Sequence, residues 1–314
     1  MNFSKIILSA LLALGFFTAC EDDTDDPNLR GTVRFEITDA PSDDADIEAV
    51  FVTVTGVRVD GELTTTTKTT FDLAALQNGA TKALGEVQLD ARTYTELELV
   101  LDYETDANGN VPGCYVETTD GAKHDLEAGT TFIATSAGDF QVNEGDQTDV
   151  VIDFDLRKAI RRNDPNAQDR YDFVTTAELN AALRFVEKEE AGQVEGNCND
   201  NGFGGDKIIV YAYERGRFDQ DTEVSAQGSS DVRFAGAVTS AEVAASGNYE
   251  LNFLAPGDYE LHYFGYSDTD NDGKFELTSK LEVNTLLGLD LLGFNLTAGA
   301  SVTADVTVTG IIPL

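Results

Sequence analysis

Residues 49–61 read AVFVTVTGVRVDG, and the placing of valine within them decides the fold. Val50, Val52 and Val54 share one parity, whereas Val57 and Val59 fall on the other. Apolar residues at a period of two mark a strand with one buried face. One face cannot hold both parities unless a residue is inserted between them. The switch at Thr55-Gly56 therefore predicts a β-bulge that returns valine to the core.

The same period runs outward in both directions. Val33, Phe35 and Ile37 alternate with Arg34, Glu36 and Thr38; Leu97, Leu99 and Leu101 alternate with Glu96 and Glu98. Val150, Ile152, Phe154 and Leu156 alternate with Val151, Asp153 and Asp155. Tyr249, Leu251 and Phe253, then Tyr259, Leu261 and Tyr263, then Val302, Ala304, Val306 and Val308 repeat it. Turn-forming stretches separate the runs: DANGN at 106–110, APGD at 255–258 and DNDG at 270–273. The fold class expected is all-β, as two antiparallel β-sandwich domains with little helix. FDLAALQNG (71–79) reads as a short helical turn ended by Gly79, and LRKAIRR (156–162) as another before Asn163-Asp164-Pro165. TAELNAALRFVEKEE (176–190) fits neither period and stays open between helix and strand. GNCNDNGFGG (196–205) is the expected join, dividing a domain at 31–195 from a second at 206–314.

The first twenty residues have the layout of an export signal: Lys5, the apolar run Ile6 to Phe17, then small residues before Cys20. FTAC (17–20) resembles the lipobox of bacterial lipoproteins, which implies that residues 1–19 are removed and that Cys20 carries the lipid. Glu21, Asp22, Asp23, Asp25 and Asp26 follow at once, so residues 20–30 are expected to be a hydrated tether. That acidic block resembles the signal by which Bacteroidetes-type bacteria send lipoproteins to the cell surface; a tether without an address is the other reading. No other stretch is apolar enough to span a bilayer as a helix.

Against 21 Lys and Arg stand 57 Asp and Glu, a formal net charge of −36. Such a chain is repelled by phosphate backbones, so no nucleic-acid partner is expected, while cations are favoured. With Cys20 lipidated, Cys114 and Cys198 remain as an even pair in an oxidising compartment. Both lie in Gly/Asn-rich stretches, and whether they form a disulfide stays open.

GTVRFEITDAPSDD (31–44), VFVTVTGVRVDG (50–61), FDLAAL (71–76) and VVIDFDLRKAI (150–160) together resemble the domain-of-unknown-function 4382 family of bacterial surface lipoproteins. That resemblance implies a setting and no reaction. KIIVYAYERG (207–216), AVTSAEV (237–243) and GNYELNFLAPGDYELHYF (247–264) resemble a transthyretin-type or carboxypeptidase-regulatory-type β-sandwich.

One stretch has ligand chemistry. DTDNDGKFE (268–276) sets Asp268, Asp270 and Asp272 at alternate positions, then Gly273 and Glu276. Alternate acids on a tight loop can supply oxygens to Ca²⁺, with the Lys274 carbonyl as a further ligand. Ser279 stands where an EF-hand needs its twelfth-position acid, so that motif is rejected. A structural Ca²⁺ loop between strands and a plain turn both remain. Arg157, Lys158, Arg161 and Arg162 concentrate positive charge, either to neutralise neighbouring acids, the preferred reading, or to meet an acidic glycan or partner.

Catalytic signals are sparse. His124 is expected in a loop and His262 on a sheet surface beside Glu260; no nucleophile elbow or zinc spacing accompanies them. There is no tryptophan to stack on sugars, although Tyr211, Tyr213, Tyr263 and Tyr266 offer rings. The expectation is no catalytic residues: a non-enzymatic lipoprotein held in the outer membrane through Cys20 and exposed at the cell surface. It would serve as a binding or adhesion module or accessory subunit, with an extracellular polymer or protein as partner. A periplasm-facing structural component is the alternative, and a carboxylate-dependent hydrolase the third.

Overall fold

The computed structural model describes residues 29–40, 44, 46–163, 170–271, 275–286 and 288–314. The signal peptide, Cys20 and the acidic tether up to residue 28, the Asp164-Pro165 stop, Asp272, Gly273 and Lys274 lie outside the described residues.

The valine strand forms as the parity switch requires. Ile47–Val59 is one strand, and its register against Glu62–Asp72 and against Leu97–Leu101 slips between Val54 and Gly56. Thr55 is the inserted residue, so Val50, Val52, Val54, Val57 and Val59 are all buried in one core. Asp60 and Gly61, both at positive φ (47° and 82°), make the tight turn into Glu62–Asp72. Tyr115–Thr118, Lys123–Asp125 and Phe132–Thr135 complete this six-stranded sheet.

A four-stranded sheet packs against it in the order Leu183–Glu187, Gln147–Phe154, Arg30–Thr38, Lys82–Asp90. Its two central strands run parallel, Thr32 to Thr38 lying beside Gln147 to Asp153. A parallel pair needs a long crossover, and the intervening chain supplies one by building the six-stranded sheet. Val33, Phe35, Ile37, Val150, Ile152 and Phe154 face the valines across a shared core.

The second half is a nine-stranded sheet. Lys207–Glu214 and Gly257–Ser267 are neighbouring interior strands of it, and both faces of these strands are covered. Val210, Ala212, Leu261 and Tyr263 enter one core, while Ile209, Tyr211, Tyr213, Phe264 and Tyr266 enter a second with Phe234 and Ala237. The segment between Glu214 and Thr239 supplies that second cover.

Three expectations change, and one open reading is settled. The stretch 196–205 is not a loop throughout: strand Gly192–Asn199 pairs with Asn248–Leu254 in the second sheet, because Val194 and Cys198 are apolar at strand period. Residues 71–79 hold no helical turn; the strand ends at Asp72 and two tight turns follow, closed by Leu76 N–H on Leu73 O and Ala80 N–H on Gln77 O. LRKAIRR is helical only over Leu156–Ala159 and then becomes strand Ile160–Arg162. TAELNAALRFVEKEE is both things in turn, helix Thr176–Ala181 with a Thr175/Glu178 capping box and then strand Leu183–Glu187.

Candidate functional site at the seam between the halves

Gln147–Phe154 carries Asp153 on the parity that alternation assigns to water, and Asp155 follows it. The second half covers that face instead, leaving Asp153 4% and Asp155 3% exposed. Burying ionised carboxylates is costly unless they are paired. Asp155 accepts from Arg157 Nη2 at 2.9 Å and lies 3.4 Å from Lys158 Nζ. Asp153 is paired with Arg184 Nη2 at 2.5 Å. Asp39 completes the acidic group and takes the Leu156 amide on Oδ1 at 3.0 Å.

Each cation also reaches across the seam. Arg157 Nη1 donates to the carbonyls of Arg233 (2.9 Å) and Phe234 (3.1 Å), and Lys158 Nζ donates to Ala237 O at 2.8 Å. Arg184 Nη1 donates to Phe253 O. Phe234 and Phe253 sit at φ +52° and +55°, a conformation that bulky L-residues rarely adopt. Both strained carbonyls thus face a buried guanidinium, which offsets part of the strain through a charge-assisted hydrogen bond. Glu178 closes the seam lower down by accepting from Ser229 N, Ser230 N and Ser230 Oγ at 2.7, 3.0 and 2.6 Å.

Ionisation follows the packing. Burial drives the Asp39 carboxyl well above the usual range; the Leu156 amide pulls the other way, and Asp153 and Asp155 add to the rise. Burial also raises Asp153 against the pull of Arg184, and lowers Lys158 against the pull of Asp155. For Glu178, burial pushes upward, but the Ser230 and Thr175 hydroxyls and the Ser230 and Ser229 amides outweigh it and bring the carboxyl down to about 2.

Beside this network the halves leave a cleft of about 670 Å³, within the range that holds small ligands. Arg161, Arg162 and Tyr171 line it from the first half, and Ser229, Arg233 and Phe275 from the second. Arg162 is spent on Asp44 and Asp46, at 3.4 and 3.0 Å. Thus Arg157, Lys158 and Arg162 neutralise acids, as preferred from sequence, and two of the three also dock the second half.

The remaining expected sites resolve separately. Asp268, Asp270 and Glu276 come together with carboxylate oxygens within 4.8 Å of one another, a set that fits a hard cation. Thr269 N and Oγ1 both donate to Glu276 Oε2 at 2.8 Å, which holds that carboxylate in place. Cys114 and Cys198 are both free thiols, not a disulfide, because each is buried in a different core. His262 is not a sheet-surface residue: it is 6% exposed, stacked on Phe218 at 3.8 Å, and burial lowers it to about 4. Tyr211, Tyr213, Tyr263 and Tyr266 are all buried, so none offers a ring to a sugar. His124 lies in strand Lys123–Asp125 against the Tyr171 ring, 5.5 Å away, and not in a loop. The seam acids were missed because alternation assigns them to solvent. The signal was present in Asp153-Phe154-Asp155-Leu156-Arg157-Lys158, where two acids of one parity run straight into two cations.

No curated protein matches the chain. Similar solved structures include the Bacillus anthracis TIE protein, at 12% identity and TM-score 0.20, covering 89% of this chain and 34% of that one. A leucine-rich repeat protein from Bacteroides thetaiotaomicron is 13% identical with TM-score 0.22, covering 91% of this chain and 26% of that one. The chain thus spans about a third or less of the length of both. GBS52, the minor pilin of Streptococcus agalactiae, is 13% identical with TM-score 0.21, covering 90% of this chain and 97% of that one. Residues 30–174 match the model of a family described as a domain of unknown function, DUF4382.

Proposed function

We propose that the chain is a non-enzymatic lipoprotein of the outer membrane, anchored through Cys20 and displayed at the cell surface, where it binds an extracellular polymer. The lipobox-like FTAC and the acidic EDDTDD block support the anchor and the address. The second half, in this reading, is a transthyretin-like module whose task is to close one wall of the cleft. The observation that carries the reading is the cleft itself, whose two walls come from different halves fixed by a buried polar network. A groove held open this way is preorganised, so a ligand need not order it on binding.

Protease treatment of intact cells, with lysed cells as control, tests the display. Loss of the protein from intact cells is the expected result. Protection until lysis would refute surface display and favour a periplasm-facing envelope component. We further assign Asp268, Asp270 and Glu276 to a structural Ca²⁺. Calcium should raise the melting temperature of the wild type and leave a Glu276→Gln variant unmoved; equal responses would remove the ion from the account.

A further inference from the structure

We propose that the cleft selects an oligosaccharide carrying an isolated carboxylate, a uronate on an otherwise neutral sugar, and that Arg161 and Arg233 are the groups that select it. The inference rests on the polymer-binding reading above and names the ligand class of that cleft.

Most cations of this chain have work within the fold, as 57 acids against 21 cations would lead one to expect. Arg233 is different. It is exposed on the cleft, and its guanidinium makes no hydrogen bond or ion pair among the described residues. Only its backbone carbonyl is used, by Arg157. Arg161 is nearly as free: one Nη2 contact at 3.4 Å reaches an Asp172 oxygen that Asn163 Nδ2 already holds at 2.8 Å. Its Nε is buried without a partner, and 41% of its side chain is exposed. A guanidinium offers five donors in a planar fork that matches a carboxylate. Two such forks, one from each half, therefore flank a space with no anion of the protein bound to either in full.

The charge of the whole chain narrows the ligand further. At −36 the molecule repels polyanions at long range. Within about 8 Å, the screening length at physiological salt, the four guanidiniums lining the cleft (Arg157, Arg161, Arg162 and Arg233) outnumber the three carboxylates that line it too (Asp44, Asp231 and Glu276). A ligand of low charge density satisfies both conditions, because its single carboxylate meets the arginines while the rest stays neutral. The other lining groups suit a sugar. Ser229 and Asn163 are polar, while Ile160, Val232 and Phe275 are apolar, matching hydroxyl edges and C–H faces.

The test uses the full lipidated chain in detergent, with calorimetry against a uronate-terminated disaccharide, its methyl ester and a neutral-side-chain tripeptide. The acid should bind, and the ester, identical except for its charge, should bind at least tenfold more weakly. Arg233→Gln and Arg161→Gln should each weaken the acid about tenfold or more, the usual loss for a hydrogen bond to a charged group. Arg233→Gln should leave the melting temperature unchanged, since that side chain holds nothing in the fold. Equal binding of acid and ester, or indifference to both substitutions, overturns the arginine assignment while leaving the cleft as a binding site. Tighter binding of the tripeptide would assign the arginines to a peptide end and overturn the sugar. Binding of neither sugar overturns the proposal, and the cleft is then judged by the cell assay that closes the Discussion.

Discussion

Replacing Arg157 with methionine removes the charge and fork of the central seam cation while keeping a side chain of similar length. The side chain is 3% exposed, so water cannot replace what is lost. Asp155 would keep only Lys158, at 3.4 Å, and the Arg233 and Phe234 carbonyls would lose their donor. Breaking a buried pair from one side costs about 3–5 kcal/mol. For a unit of this size, each kcal/mol moves the melting temperature by about 2–4 °C, so a fall on the order of 10 °C is expected. Arg92→Met is the control. Arg92 is also paired at short range, 2.6 Å from Asp60, but its side chain is 53% exposed. Exposed pairs contribute about 1 kcal/mol or less. Urea and thermal unfolding of both variants make the comparison, and Arg157→Met should also split one transition into two as the halves uncouple. Equal losses for the two variants, with one shared transition, would refute the argument, since the seam would then be neither dry nor holding the halves together.

Three further outcomes follow from the same geometry. Glu178 has its folded value lowered from 4.5 to about 2, so its contribution is fully present above pH 4.5 and is lost as pH falls towards 2. The stability difference between wild type and Glu178→Gln should shrink across that window, and a difference independent of pH would show that the carboxylate does not hold the 229–230 loop. Asp39 has its folded value raised, so the folded chain keeps a proton that the unfolded chain releases, and this contribution fades as pH rises through the folded value. Asp39→Asn should therefore be more stable than wild type at pH 8, with the gap closing towards pH 4 by at most about 1.4 kcal/mol per pH unit; a less stable variant at pH 8 would contradict the burial of that charge. Burial pushes the Cys114 thiol up to about 12 and Cys198 up to about 11, so a thiol reagent should label neither in the native protein and both after unfolding without reductant. Failure to label after unfolding would mean that they are bonded.

Much of this is legible in the sequence. The Val54/Val57 parity switch places the bulge at Thr55-Gly56, where the register slips, because a strand that buries one face leaves no other way to place five valines. What alternation could not give was the fate of the polar face. It reports which side of a strand is more apolar, not whether the other side is covered by a segment distant in sequence. Asp153 and His262 both follow that rule locally and are both buried, the first under the second half and the second under Phe218. Charge pairing makes such burial tolerable, and pairing partners such as Arg184 stand too far along the chain to be read from spacing. Arg161 and Arg233 were divided in the same way: the first was visible in LRKAIRR, and the second gained meaning only when the fold brought both to one cleft.

The central claim is that a polymer seats in that cleft on the cell surface. Ala226 lines the cleft and is exposed, so Ala226→Trp fills the space without disturbing the core. Cells carrying the wild type or this variant at equal surface level would be incubated with fluorescently labelled polysaccharide prepared from their growth medium. Retention by the wild type and its loss in the variant is the predicted result. Equal retention by both, or none by either, would contradict the claim.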